Sequence, residues 1–61
     1  MTKALYKNEL ARAAGVSIGT LRKWCKAEQQ QLANYGVHPR DQFLTPAAVQ
    51  YICTKYGITL P

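Results

Sequence analysis

Leu10-Ala11-Arg12-Ala13-Ala14-Gly15-Val16-Ser17-Ile18-Gly19-Thr20-Leu21-Arg22-Lys23-Trp24 is the stretch that decides the fold. Gly15 is the residue type that tolerates the left-handed backbone after a helix, so a first helix is expected to end at Ala14. Two residues further on, Ser17 is a strong N-cap. Val16 and Leu21 stand where a hydrophobic staple would close the start of a second helix. The small Ala11 sits where the two helices would cross, while Val16, Leu21 and Trp24 supply apolar groups to a core. The pattern is that of a helix-turn-helix, and it leaves Ser17, Gly19, Arg22, Lys23 and Lys26 on the outside of the second helix.

Before this stretch, Leu5 and Leu10 are expected to face inward, and the start of the first helix stays open. Glu9 could face back to the helix N-terminus, but the residue three positions earlier is Tyr6, which offers no good side-chain acceptor. Either Asn8 caps a very short helix or helical structure reaches back towards Thr2. After the stretch, Leu21, Trp24, Cys25, Leu32 and Tyr35, with Glu28 at the intervening turn, keep helical spacing. The second helix is therefore expected to continue, with or without a kink, to about Asn34 and to stop at Gly36.

Residues 36–44, Gly-Val-His-Pro-Arg-Asp-Gln-Phe-Leu, are the main non-helical segment. Pro39 forbids regular helix and biases His38 towards an extended backbone. Val37, Phe43 and Leu44 are expected to anchor a polar tip running from His38 to Gln42, as a small two-stranded β-wing or as an extended loop. A third helix has the clearest signals: Thr45 as N-cap, Pro46 at the first helical position and Gly57 at the end. Val49, Ile52, Cys53 and Tyr56 give it one apolar face, onto which Ile58 and Leu60 are expected to fold before Pro61. The expected fold class is mainly α: one three-helix helix-turn-helix domain over residues 1–61, with a wing or loop at about 36–44.

The chain's 61 residues leave room for one small core and a binding surface, but hardly for a deep substrate cavity. Its net charge of +5 is placed unevenly. Lys3, Lys7, Arg12, Arg22, Lys23 and Lys26 face only Glu9 in the first 26 residues, whereas Arg40 and Lys55 balance Glu28 and Asp41 in the remainder. The entire excess thus lies on the side of the helix-turn-helix pattern. A localised basic field suits a phosphate backbone, because each Lys or Arg contact releases condensed counterions.

Other chemistry is poorly represented. Cys25 and Cys53 are at no metal spacing, His38 is the sole histidine, and each cysteine falls on an apolar stripe where a free thiol acts as a small hydrophobe. There is no nucleophile–base–orienter set, no paired carboxylate and no glycine-rich phosphate loop, so no enzyme activity, cofactor, metal or small-molecule ligand is expected. The N-terminus lacks an apolar targeting stretch and nothing approaches a membrane-spanning length; a cytoplasmic location without membrane contact is the expectation.

From Lys7 to Trp24 the chain resembles the N-terminal DNA-binding unit of MerR-type regulators and excisionases. The residues carrying the likeness are Glu9-Leu10-Ala11, Ala14-Gly15-Val16-Ser17 and Thr20-Leu21-Arg22. It continues more loosely through Phe43-Leu44-Thr45-Pro46 into Val49, and the pattern is also similar to small stand-alone bacterial helix-turn-helix families. Tyr6 replaces the Ser or Thr cap of those families, and the segment between the second helix and the loop is longer than a compact wing requires. The resemblance implies double-stranded DNA as partner. A MerR-type regulator would continue into a dimerisation helix and an effector domain; without them, metal or drug sensing is not expected here.

A helix in the major groove presents its N-terminal residues to base edges and flanking basic groups to phosphates. Ser17, Ile18, Gly19, Thr20, Arg22 and Lys23 are therefore the candidate groove contacts. Arg22 would either hold a guanine edge or order the domain by packing on Trp24 or pairing with Glu9. Ile18 would either touch a thymine methyl or complete the turn, and Thr20 would point to the first helix or to a phosphate. Gly19 either permits close backbone approach or is a tolerated helix defect. Trp24 could stack on a sugar or phosphate edge, but its place on the apolar stripe favours core packing. Lys26, Arg12 and Lys7 are candidate phosphate contacts or solvated cations. Arg40 could reach a minor groove, in a field weakened by Asp41. So small a module would need a second copy, a tandem site or a partner protein on DNA. The other reading is a protein-interaction module with an exposed patch of Tyr35, Tyr51, Phe43 and Leu44.

Overall fold

The structure, a computed structural model, describes residues 3–38 and 40–60; the expectations placed on Thr2, Pro39 and Pro61 fall outside them. Among the described residues the order of elements is β1 (Leu5–Tyr6), α1 (Lys7–Ala14), α2 (Ile18–Ala27), α3 (Gln29–Asn34), β2 (Phe43–Leu44) and α4 (Pro46–Tyr56). The chain is mainly helical, with one small antiparallel sheet in which Leu5 faces Leu44 and Tyr6 faces Phe43.

Neither expected start of the first helix is found. Residues 5 and 6 are extended, and α1 begins at Lys7 with Tyr6 as its N-cap. The missing side-chain cap is replaced from two directions. The Glu9 carboxylate accepts the Tyr6 N–H at 2.9 Å, and the Gln42 carbonyl accepts the Lys7 N–H at 2.7 Å. A distant part of the chain thus satisfies a helix-terminal donor that local sequence left open.

The far end of α1 follows its sequence signal. Gly15 takes φ 73°, and its N–H and that of Val16 return to the carbonyls of Arg12 and Ala11. Ser17 then caps α2, its hydroxyl accepting the Thr20 N–H at 3.2 Å. Ala11 is buried between the helices, and Val16 packs against the core beside Leu21.

The expected single helix to Asn34 is two helices, which makes four among the described residues rather than three. Glu28 leaves helical geometry at φ −105°, ψ 20°, and the chain restarts as α3. The joint is held from α4: the Tyr51 hydroxyl donates to Glu28 Oε1 at 2.6 Å, and Lys55 Nζ lies 3.7 Å from the same oxygen. Leu32 enters the core from α3, and Gly36 closes that helix with φ 84°.

Among the described residues of the 36–44 segment no two-stranded wing forms. The one strand in that segment, β2, pairs with residues preceding α1 instead. His38 and Asp41 are tied to each other twice, Asp41 Oδ2 accepting the His38 N–H at 3.0 Å and the His38 carbonyl accepting the Asp41 N–H at 2.9 Å. Of the three expected anchors, Val37 and Leu44 are buried but Phe43 is 46% exposed. Successive strand side chains point to opposite faces, so the register that buries Leu44 turns Phe43 outward.

α4 matches its sequence signals. Thr45 Oγ1 accepts the Ala48 N–H at 3.3 Å and donates to the Tyr35 carbonyl at 2.7 Å, while Gly57 ends the helix at φ 67°. Val49 and Ile52 are wholly buried, and Cys53, Tyr56, Ile58 and Leu60 pack against the core that they form with Leu10, Leu21, Leu32 and Leu44. Trp24 stacks on Tyr56 with ring centroids 4.3 Å apart and planes 8° from parallel, which makes it a packing residue. Cys25 is buried in this core. Burial pushes its thiol pKa up, against a smaller opposing effect of the Lys7 charge, and burial likewise raises that of Cys53. Both thiols therefore stay protonated near neutral pH.

Candidate nucleic-acid interface

The helical period sorts α2 into two sides. Leu21 and Cys25 are buried, and Gly19, Arg22, Lys23 and Lys26 are exposed. Positions 19, 22, 23 and 26 share one face, so the three cations form a stripe opposite the core. Among the described residues none of the three enters an ion pair, and the alternative pairing of Arg22 with Glu9 is not made. Glu9 is used at the α1 N-terminus and Glu28 at the α2–α3 joint.

The remaining candidates divide. Ser17 is exposed at the tip of α2, but its hydroxyl serves the cap and lies 3.0 Å from Thr20 Oγ1, which turns the Thr20 hydroxyl onto the cap as well. Ile18 is half-buried and packs against the core. Gly19 is open: an added Cβ would meet only Ser17 Oγ, at 3.9 Å. Arg12 is exposed in the last turn of α1, and Arg40 is exposed in the loop before β2. The Asp41 carboxylate beside it is committed to the His38 N–H.

Lys7 is the correction among the candidate phosphate contacts, because it is buried, with 4% of its surface accessible. Its stem lines a small cavity with Cys25, Leu32 and Val37, consistent with how a long cationic side chain buries its methylenes. A signal for this was present: Lys7, Leu10, Ala11 and Ala14 fall at the spacing of one helix face, the one that packs inward. Lys7 also reaches an open cleft that it shares with Arg22, Lys26, Gln29 and Gln42. The two glutamines were not singled out from sequence, and nothing local marks them. The α2–α3 break and the β1–β2 pairing bring them beside the cations.

The aromatic patch of the interaction-module reading is also rearranged. Leu44 is fully buried, and Tyr35 and Tyr51 are half-buried with ring centroids 5.6 Å apart. Phe43 instead packs edge-on against Tyr6 at 5.0 Å. Among the described residues no group of three or more His, Cys, Asp or Glu is placed to hold a metal ion, and no helix is long and apolar enough to cross a membrane.

No protein-family model, curated protein or solved structure matches the chain. The geometry of the cationic stripe is therefore the basis for a functional reading.

Proposed function

We propose that this chain binds double-stranded DNA with α1 and α2 as a helix-turn-helix, α2 lying in the major groove. The observation carrying this reading is the stripe of Arg22, Lys23 and Lys26, exposed on one face of a helix whose opposite face is core. Three like charges on one rigid face repel one another, and an anionic partner relieves that repulsion. Arg22 and Lys23 lie nearest the N-terminal half of the helix, where base edges are read, and Arg22 offers a bidentate fork for guanine. Lys26 and Arg12 would contact phosphates. The likeness to MerR-type and excisionase DNA-binding units points the same way, as does the absence of any acidic residue in the first 26 positions except Glu9. The biological role is that of a small transcription regulator or an architectural factor that bends DNA, with no catalysis.

The test is a titration of fluorescent random-sequence duplex at two salt concentrations. With three or four of the exposed cations Arg12, Arg22, Lys23 and Lys26 at phosphates, the logarithm of the binding constant should fall against that of salt with a slope of about −3 to −4. No binding even at about 50 mM salt would remove DNA as the partner and leave a protein-interaction module. Selection from a random DNA pool would then define the site, and phased repeats of that site would report bending.

A further inference from the structure

We infer that the outer face of the β1–β2 pair is a self-association surface, on which a second copy of this chain docks across a two-fold axis. This goes beyond DNA binding and does not depend on it. Tyr6 and Phe43 are the two most exposed large apolar side chains among the described residues, at 51% and 46%. The register sets them directly opposite each other, and their rings pack edge to face 5.0 Å apart. The inner face of the same strands holds Leu44, which is fully buried, so the outward pair is fixed by the core rather than free to fold away.

Charge decides which kind of partner fits. Within three residues of the pair along the chain stand Lys3, Glu9, Arg40 and Asp41, all at least partly exposed and two of each sign; Lys7, also close, is buried. The patch is thus an aromatic centre with a mixed, locally neutral rim, the composition of a protein–protein contact. A two-fold axis can set the acidic groups of one copy against the basic groups of the other. The α2 stripe cannot be used in this way, since two copies would bring six cations together there. DNA is disfavoured at the aromatic patch for the complementary reason: two of the chain's three acidic residues border it.

Area sets the strength. A fully buried aromatic side chain covers about 150–250 Å². Half-exposed Tyr6 and Phe43 therefore offer roughly 200 Å² per copy, below the 800 Å² or so per partner of a stable interface. So small a contact makes the pairing weak, with the chain monomeric when dilute and the pair formed only where the local concentration reaches about the millimolar range. That is the effective concentration at which two copies held on one ligand meet, and there the contact becomes cooperativity.

Heteronuclear NMR spectra of the full chain without DNA, followed on dilution from about 1 mM, test this. The amides of Tyr6, Phe43 and their neighbours should shift with concentration. Phe43→Thr, which keeps a strand-forming residue, should weaken pairing at least tenfold. Arg40→Glu, in the exposed loop, lowers the overall charge and would strengthen any association limited by general repulsion. Here it should weaken pairing instead, because it makes the rim acidic on both copies. Shifts clustered on α2 or α4, no shifts up to about 1 mM, or shifts unaffected by both substitutions would each overturn the inference.

Discussion

Gly19 lies in the first turn of an exposed helix face with space around it, and this makes its role measurable. A Cβ there meets only Ser17 Oγ at 3.9 Å, so Gly19→Ala should stabilise the fold by about 0.5–1 kcal/mol, read as a higher midpoint in urea. If α2 brings its backbone close to DNA, the same variant should bind DNA more weakly while folding better. Tyr51 gives a second test. Its hydrogen bond to Glu28, with burial and the Glu28 charge adding to it, pushes the phenol pKa up from the usual 10 to about 12. The folded state therefore keeps a proton that the unfolded chain releases. This contribution to stability is complete below about pH 10 and is lost as pH rises towards 12. Denaturant unfolding followed through this window should show a steeper loss for the wild type than for Tyr51→Phe. Lys7 shows a limit at the same scale: a lysine is read as solvated from its type, yet its place on the inward face of α1 buries it.

At the scale of elements, α2 carries the cations of the proposed DNA contact on one side and core residues on the other, and the two can be separated by substitution. Arg22→Ala and Lys23→Ala remove exposed charges that no other described residue engages. Both should weaken DNA binding several-fold and make the salt dependence shallower by about one unit each. The melting temperature should stay within about 4 °C of wild type, since such surface changes are usually worth less than 0.5 kcal/mol. A large stability loss in Arg22→Ala would assign that residue to packing instead. The joint at Glu28 shows how an element boundary escapes local reading. Residues 27–33 favour helix throughout, yet the backbone leaves helical geometry at Glu28, whose carboxylate is held by Tyr51 and Lys55 from α4.

For the whole molecule, one core does all the ordering and its margin is small. A chain of 61 residues is stable by only about 3–9 kcal/mol. Ile52 is wholly buried where α4 meets the other helices, and Ile52→Ala should cost about 2–5 kcal/mol. Thermal unfolding should report a fall of at least about 8 °C, with binding lost only as the fold is lost. The sequence by itself determined the ends and caps that depend on neighbours a few residues apart. Gly15, Ser17, Thr45 and Gly57 act where they stand, and the periodicity of α2 and α4 sorted Leu21, Val49 and Ile52 inward and Arg22, Lys23 and Lys26 outward. These features are local because a cap or a helix face is complete within one or two turns. Only the tertiary structure decided that β2 pairs with the residues before α1, that Glu28 splits a helix, and that Gln29 and Gln42 join the cations. It also decided that Phe43 turns out beside Tyr6. Each of these depends on groups far apart in the chain, whose meeting is fixed by how the core packs rather than by any short-range preference.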